Sequence, residues 1–143
     1  MSDEFKISLA QLNATVGDLS GNTQKVMEAW EIARDQRSDL IAFPELFITG
    51  YNPQDLILKT AFQKAATSSI DQIAKACAQG PAIAIGGPFY DENKLYNSYY
   101  ILADGKIQAV IKNIIFRMKR YLTRCVCFHQ EPLMDHFRLG KCE

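Results

Sequence analysis

The sequence predicts an α/β fold, a sheet of buried strands layered with helices. Three observations carry that expectation. Two short runs, "DLIAF" (39–43) and "AIAIGGPF" (82–89), are continuously apolar, the pattern of strands buried on both faces. The stretches before each of them carry a helical period. The order strand, helix, strand is complete within the first 45 residues, which is the signature of layered α/β domains.

The elements follow in order. "FKISLAQLN" (5–13) alternates as a buried strand does, and "ATVGDLSG" (14–21) is loop. Asn22 is placed to cap "NTQKVMEAWEIARDQR" (22–37), an amphipathic helix with Val26, Ala29, Trp30 and Ala33 on one stripe. After "DLIAF" comes the irregular "PELFITGYNP", then a helical segment over 54–78 in two pieces. Its second piece aligns Ile70, Ile73, Ala74 and Cys77, so Cys77 reads as a small core residue. "NKLYNSYYILADGKIQAVIK" (93–112) predicts two strands joined at Asp104-Gly105, a strong hairpin signal.

With 143 residues the chain is one domain at most, and it is long enough to bury a core. A formal net charge of zero gives no reason to expect nucleic acid or an anionic membrane as partner. No apolar stretch reaches the roughly 18 residues of a spanning helix. The acidic start "MSDEF" is unlike a signal peptide, so a cytoplasmic protein with reduced thiols is expected. These averages conceal a break. Residues 1–112 hold 10 basic and 13 acidic residues, one cysteine, no histidine and seven glycines. Residues 113–143 hold six basic and three acidic residues, three cysteines, both histidines and one glycine, with no sustained period.

Four groups bear on chemistry. Glu45 follows the apolar run Leu40 to Phe43 beside a rigid proline; a carboxylate in such a low-dielectric setting suits proton transfer near neutral pH. The alternative is a glutamate that turns outward at the strand end. In "GYNPQDL" (50–56), Tyr51 either points into a cleft above the strand ends, where α/β sheets bind ligands, or packs on the sheet as part of a structural turn. Cys125, Cys127, His129, His136 and Cys142 are zinc-ligand types, but their spacing lacks the C-x₂-C knuckle. The basic run "RMKRYLTR" (117–124) is a weak nucleic-acid signal in a neutral chain.

From "FPELFITGYNPQDLIL" (43–58) the chain resembles the carbon–nitrogen hydrolase (nitrilase) superfamily, whose members place a glutamate in "PE" after the second strand. The continuation is similar in particular to the glutaminase domains of glutamine-dependent NAD(+) synthetases. "AQLNATVGDLSGN" (10–22) and "GGPFYDENKLYNSYYILADGKI" (86–107) fit the same group in the same order, so the resemblance covers residues 4–112. It implies a partial α-β-β-α sandwich, the N-terminal half, and a Glu–Lys–Cys triad acting on glutamine. The cysteine attacks the amide carbonyl, the glutamate shuttles the proton, and the lysine stabilises the oxyanion. By this resemblance Glu45 is the general base, Tyr51 lies in the glutamine pocket, and Lys112 stands near the position of the lysine. No cofactor is implied for this domain. ATP and magnesium belong to a synthetase domain missing from this chain, and a homo-oligomer is expected.

The chain departs from the pattern after Lys112. The family's lysine opens a motif close to "KHHLPN", whereas this chain reads "KNIIFR" (112–117). Back-translation of 112–127 with allowed codons, read two bases later, gives KHHLPNEKVFDEMRV, a peptide absent from this sequence but matching that motif. Residues 113–143 are therefore expected to be an out-of-frame tail. The zinc pattern and the terminal Cys142-Glu143 are then accidental, and the chain is expected to be inactive alone. The remaining alternatives are another nitrilase-type amidase and a non-enzymatic module with a Cys/His tail.

Overall fold

The computed structural model describes residues 4–115, with side chains through Lys112. They form one five-stranded sheet in the order β1 (Ile7–Leu9), β2 (Leu40–Ala42), β3 (Ala82–Asp91), β4 (Lys94–Ala103) and β5 (Lys106–Ile115). The first three strands are parallel, and β3, β4 and β5 form an antiparallel meander. Parallel neighbours need crossovers, which α1 (Leu19–Asp35) and α2 (Thr60–Ala76) supply. The α/β expectation and the helix in two pieces hold: a short 3-10 turn, Gln54–Leu58, precedes α2.

Both helices cover one face of the sheet. Val26, Trp30 and Ala33 of α1 and Ala66, Ile70, Ile73, Ala74 and Cys77 at α2 meet Ile41, Ile83, Ile85, Tyr100 and Leu102 in a single core. Trp30 Nε1 donates to the Pro81 carbonyl at 2.9 Å, which ties α1 to the entry of β3. Cys77 is a core residue, as its helical face foretold.

Local chemistry corrects three expectations. Asp18, not Asn22, caps α1, its Oδ1 accepting from the Gly21 N–H at 2.8 Å. Asn22 lies within the helix and is fully buried. Its Oδ1 accepts from the Thr15 N–H at 2.8 Å, and its Nδ2 donates to the carbonyls of Thr15 (2.8 Å) and Ile48 (3.1 Å). Second, β1 is not buried. Ser8 turns toward the helices and meets Ser38 at 2.7 Å, while Ile7 and Leu9 on the other face are 52% and 72% exposed. In β2, likewise, Ile41 is buried but its neighbours Leu40 and Ala42 are only partly so.

The third concerns the meander. Asp104-Gly105 makes the expected turn between β4 and β5, both residues at positive φ. A second two-residue turn at Glu92-Asn93, also at positive φ, joins β3 to β4 and extends β3 beyond the apolar run. Paired positive φ values match the strand twist of a tight hairpin. Asn93 suits this geometry; Glu92 gave no signal of it.

Replacing Asn22 by Ala strands an N–H and two carbonyls in the interior. The expected loss is about 3 kcal/mol of unfolding free energy, measured by urea denaturation. The exposed Gln24→Ala, on the same helix, should change it by less than about 0.5 kcal/mol.

Candidate active site

Parallel strands end at one edge, and the loops that leave it build the site. From β2 the chain passes through Phe43, whose N–H donates to Ala84 O at 2.8 Å, into a tightly turned segment. Phe47 N–H donates to Pro44 O (3.3 Å), Thr49 N–H to Leu46 O (3.1 Å) and Gly50 N–H to Phe47 O (3.2 Å). Leu46, Phe47, Ile48 and Thr49 are buried, so the turn is packed inward and Glu45 is left at its rim.

Two glycines let this segment sit where it does. A Cβ on Gly86 of β3 would lie 2.3 Å from Leu46 N and 2.7 Å from Pro44 O, so the loop crosses the strand in backbone contact. Gly50 has φ of +76°, and a Cβ there would meet the Val16 backbone at 2.6 Å. Gly17 N–H donates to Thr49 O at 2.9 Å across the same seam. The β1–α1 loop and the β2–α2 loop are thereby joined into one wall.

Between them lies a cavity of about 100 Å³ lined by Leu12, Asn13, Ala14, Pro44, Glu45, Phe47 and Tyr51. Glu45 and Tyr51 thus share one cavity, apolar on the side of Leu12 and Phe47. The expected desolvated setting of Glu45 is not found: its side chain is exposed, because it leaves the strand before the buried turn begins. It is nonetheless held. Asn97 of β4, 6% exposed, donates through Nδ2 to Glu45 Oε1, and Tyr99, two residues along, donates its hydroxyl to the Phe43 carbonyl. Burial is the main cause that raises the Tyr99 pKa.

Lys112 is placed elsewhere. It pairs with Ser98 across the β4–β5 ladder, and directly opposed residues share a face. Asn97, one residue away, reaches Glu45 on the other face. Lys112 Nζ instead binds Asp91 Oδ2 at 2.6 Å and lies 5.5 Å from the Phe89 ring and 5.3 Å from that of Tyr96. The hydrogen bond it donates to Asp91 is the main cause of its raised pKa. Lys112 is therefore turned to the face of the sheet opposite the Asn97–Glu45 contact.

Cys77 is no nucleophile in this arrangement. It lies in the core on the helix side, where burial foremost, and then the Glu31 charge, push its thiol up to about 11. Cys125, Cys127, His129, His136 and Cys142 lie outside the described residues, as does the basic run. Among the described residues no group of three His, Cys, Asp or Glu could hold a metal ion.

Residues 6–137 match the family model for carbon–nitrogen hydrolases. The chain belongs to that family. The glutamine-dependent NAD(+) synthetase of Rhodobacter capsulatus is 42% identical over 140 residues, covering 98% of this chain and 25% of the relative. That of Thermotoga maritima is 34% identical over 123 residues, covering 82% of this chain and 21% of the relative. The chain thus spans about a quarter of the length of these relatives. Among solved structures, the glutamine-dependent NAD(+) synthetase of Acinetobacter baumannii superposes with a TM-score of 0.71 at 32% identity, over 76% of this chain and 20% of that one. An amidase from Nesterenkonia, at 23% identity and a TM-score of 0.66, shares the fold over 76% of this chain and 42% of its own. The nitrilase-type half-sandwich expected from the motifs is the fold observed.

Three residues of this site gave no functional signal in the sequence. Gly86 stood within an apolar strand, and Asn97 and Tyr99 within an alternating one. The available clue was the pattern itself: a buried asparagine on a strand demands a partner, and its partner here is Glu45.

The raised Cys77 thiol has a direct test. Iodoacetamide at about pH 8 should alkylate Cys77 far more slowly in the folded chain than in urea, read by mass spectrometry of the peptide containing it. Because its folded pKa lies above the unfolded value, the associated stability is present below about pH 9 and lost as pH rises through about 11.

Proposed function

We propose that this chain carries the base side of a glutamine amidohydrolase site, that of a glutamine-dependent NAD(+) synthetase. The observation that carries this reading is the placement of Glu45, on the "FPELFITGYNP" loop, in one cavity with Tyr51 and fixed by Asn97. The sequence similarity to glutamine-dependent NAD(+) synthetases over the same residues supports it.

In the reaction so assigned, a cysteine thiol gives its proton to Glu45 as its sulfur attacks the amide carbonyl of glutamine. The C–N bond then breaks, and the proton leaves on ammonia. Water attacks the resulting thioester, giving a proton to Glu45; the C–S bond breaks, Glu45 returns that proton to the thiolate, and glutamate is released. Tyr51 stands across the cavity as a substrate contact. Lys112 fulfils the oxyanion role only after it is brought to the other face of the sheet. The described residues offer no thiol to the cavity, and with residues 113–143 read as out of frame the chain is taken to be inactive alone. Ammonia would pass to a synthetase domain holding ATP and magnesium, in a cytoplasmic homo-oligomer that amidates an NAD precursor.

Residues 113–143 are read as out of frame, which accounts for the break in composition and for the recovered lysine motif. Sequencing the gene across the Lys112 codon decides this: an A-run with one base missing is expected, and an unbroken frame refutes it. The chain should release no ammonia from glutamine in a coupled assay. Joined in the restored frame to the rest of the domain, it should hydrolyse glutamine. Glu45→Ala should then lower kcat at least about 10²-fold. Preference for a simple aliphatic amide over glutamine would instead point to another nitrilase-type amidase.

A further inference from the structure

We propose that Asn97 and Tyr99 of β4 are positioning residues for Glu45: Asn97 aims the carboxylate into the cavity, and Tyr99 fixes the backbone that carries it. Their importance for catalysis rests on the glutaminase reading; the geometry does not. Glu45 is exposed and has three rotatable bonds, so the fold alone does not set the direction of its carboxylate.

Asn97 is 6% exposed on a strand, and its amide must find partners or pay for desolvation. Nδ2 donates to Glu45 Oε1, a charge-assisted bond stronger than a neutral one. Asn97 itself sits within a long ladder on one side. It pairs with Pro88 on β3, inside the nine-pair β3–β4 ladder. Tyr99, on the same face two residues along, donates its hydroxyl to the Phe43 carbonyl. Phe43 is in turn bonded through its N–H to Ala84. Strand β4 thus grips the Glu45 loop at two points, one on its side chain and one on its backbone two residues earlier. Gly86 supplies the third constraint by letting the loop lie against β3. With Oε1 engaged by Asn97, Oε2 has no hydrogen-bond partner among the described residues, as a proton carrier requires, and Glu45 lines the space shared with Tyr51.

The test is NMR on the full 143-residue chain, following the Glu45 side-chain carboxyl carbon and the Asn97 side-chain amide over about pH 3 to 8. The nearby titratable groups are Tyr51 across the cavity and Tyr99 behind the loop, whose phenol burial pushes further above this range. The Asn97 amide protons are expected to shift with the same midpoint as the Glu45 carboxyl carbon. The exposed substitution Glu45→Gln should abolish that titration. An Asn97 amide that ignores pH while Glu45 titrates, or that still titrates in E45Q, overturns the proposal. Tyr99→Phe is expected to increase the amplitude of backbone motion at Phe43 to Glu45 in ¹⁵N relaxation; unchanged relaxation removes Tyr99 from the role. Glutamine added to the same sample addresses the other question. Failure to perturb Glu45 and Tyr51 would count against the glutaminase reading and leave the Asn97–Glu45 contact standing.

Discussion

The site depends on one buried amide. Asn22 reaches out of α1 and closes hydrogen bonds to both backbone polar groups of Thr15 and to the carbonyl of Ile48. These belong to the two loops that form the cavity walls. Neither loop has a ladder of its own to satisfy its backbone, so the side chain stands in for a missing strand. In the interior, where water cannot substitute, such a fully satisfied group fixes geometry more strongly than its modest net energy suggests. The seam between Gly17 and Thr49, and the close approach of Gly50 to Val16, are possible only with the loops held at that spacing.

Periodicity exposed the frame of this fold and concealed its joints. Val26, Trp30 and Ala33, and Ile70, Ile73 and Cys77, lie buried where their helical spacing puts them. Apolar runs found β2 and β3, and Asp104-Gly105 found a hairpin. These are local signals, each decided within a few residues. Asn22 was misread as a cap because an asparagine at a helix start usually is one; its real partners lie 7 and 26 residues away. Glu45 was found by its neighbours in sequence, whereas Asn97, its partner, is 52 residues distant. The exposure of Glu45 escaped local reading too, since an apolar run fixes the burial of a strand and not of the residue that leaves it.

The sheet divides the molecule chemically as well as spatially. On the helix side lie the core, the raised thiol of Cys77 and the Lys112–Asp91 pair with its aromatic neighbours. On the other side lie Glu45, Asn97 and Tyr99, with Ile7, Leu9 and Ile111 exposed beside them. Apolar strand residues left to water on the face that carries the candidate base are the mark of a layer meant to be covered. This agrees with the half-sandwich that the relatives' fold implies.

Gly86 gives the assembly an order in time. The meander of β3, β4 and β5 pairs residues close in sequence through two tight turns, so its closure costs little chain entropy. The parallel pairing of β1 and β2 needs each strand to be brought back across a whole helix. The Glu45 loop crosses β3 at Gly86, and the two bonds that hold Glu45 and Phe43 to β4 can form only once the β3–β4 hairpin exists. Kinetically, then, the carboxylate is a late passenger: it finds its orientation by landing on a sheet already formed, and slow docking there would leave an otherwise folded chain with its base unaimed.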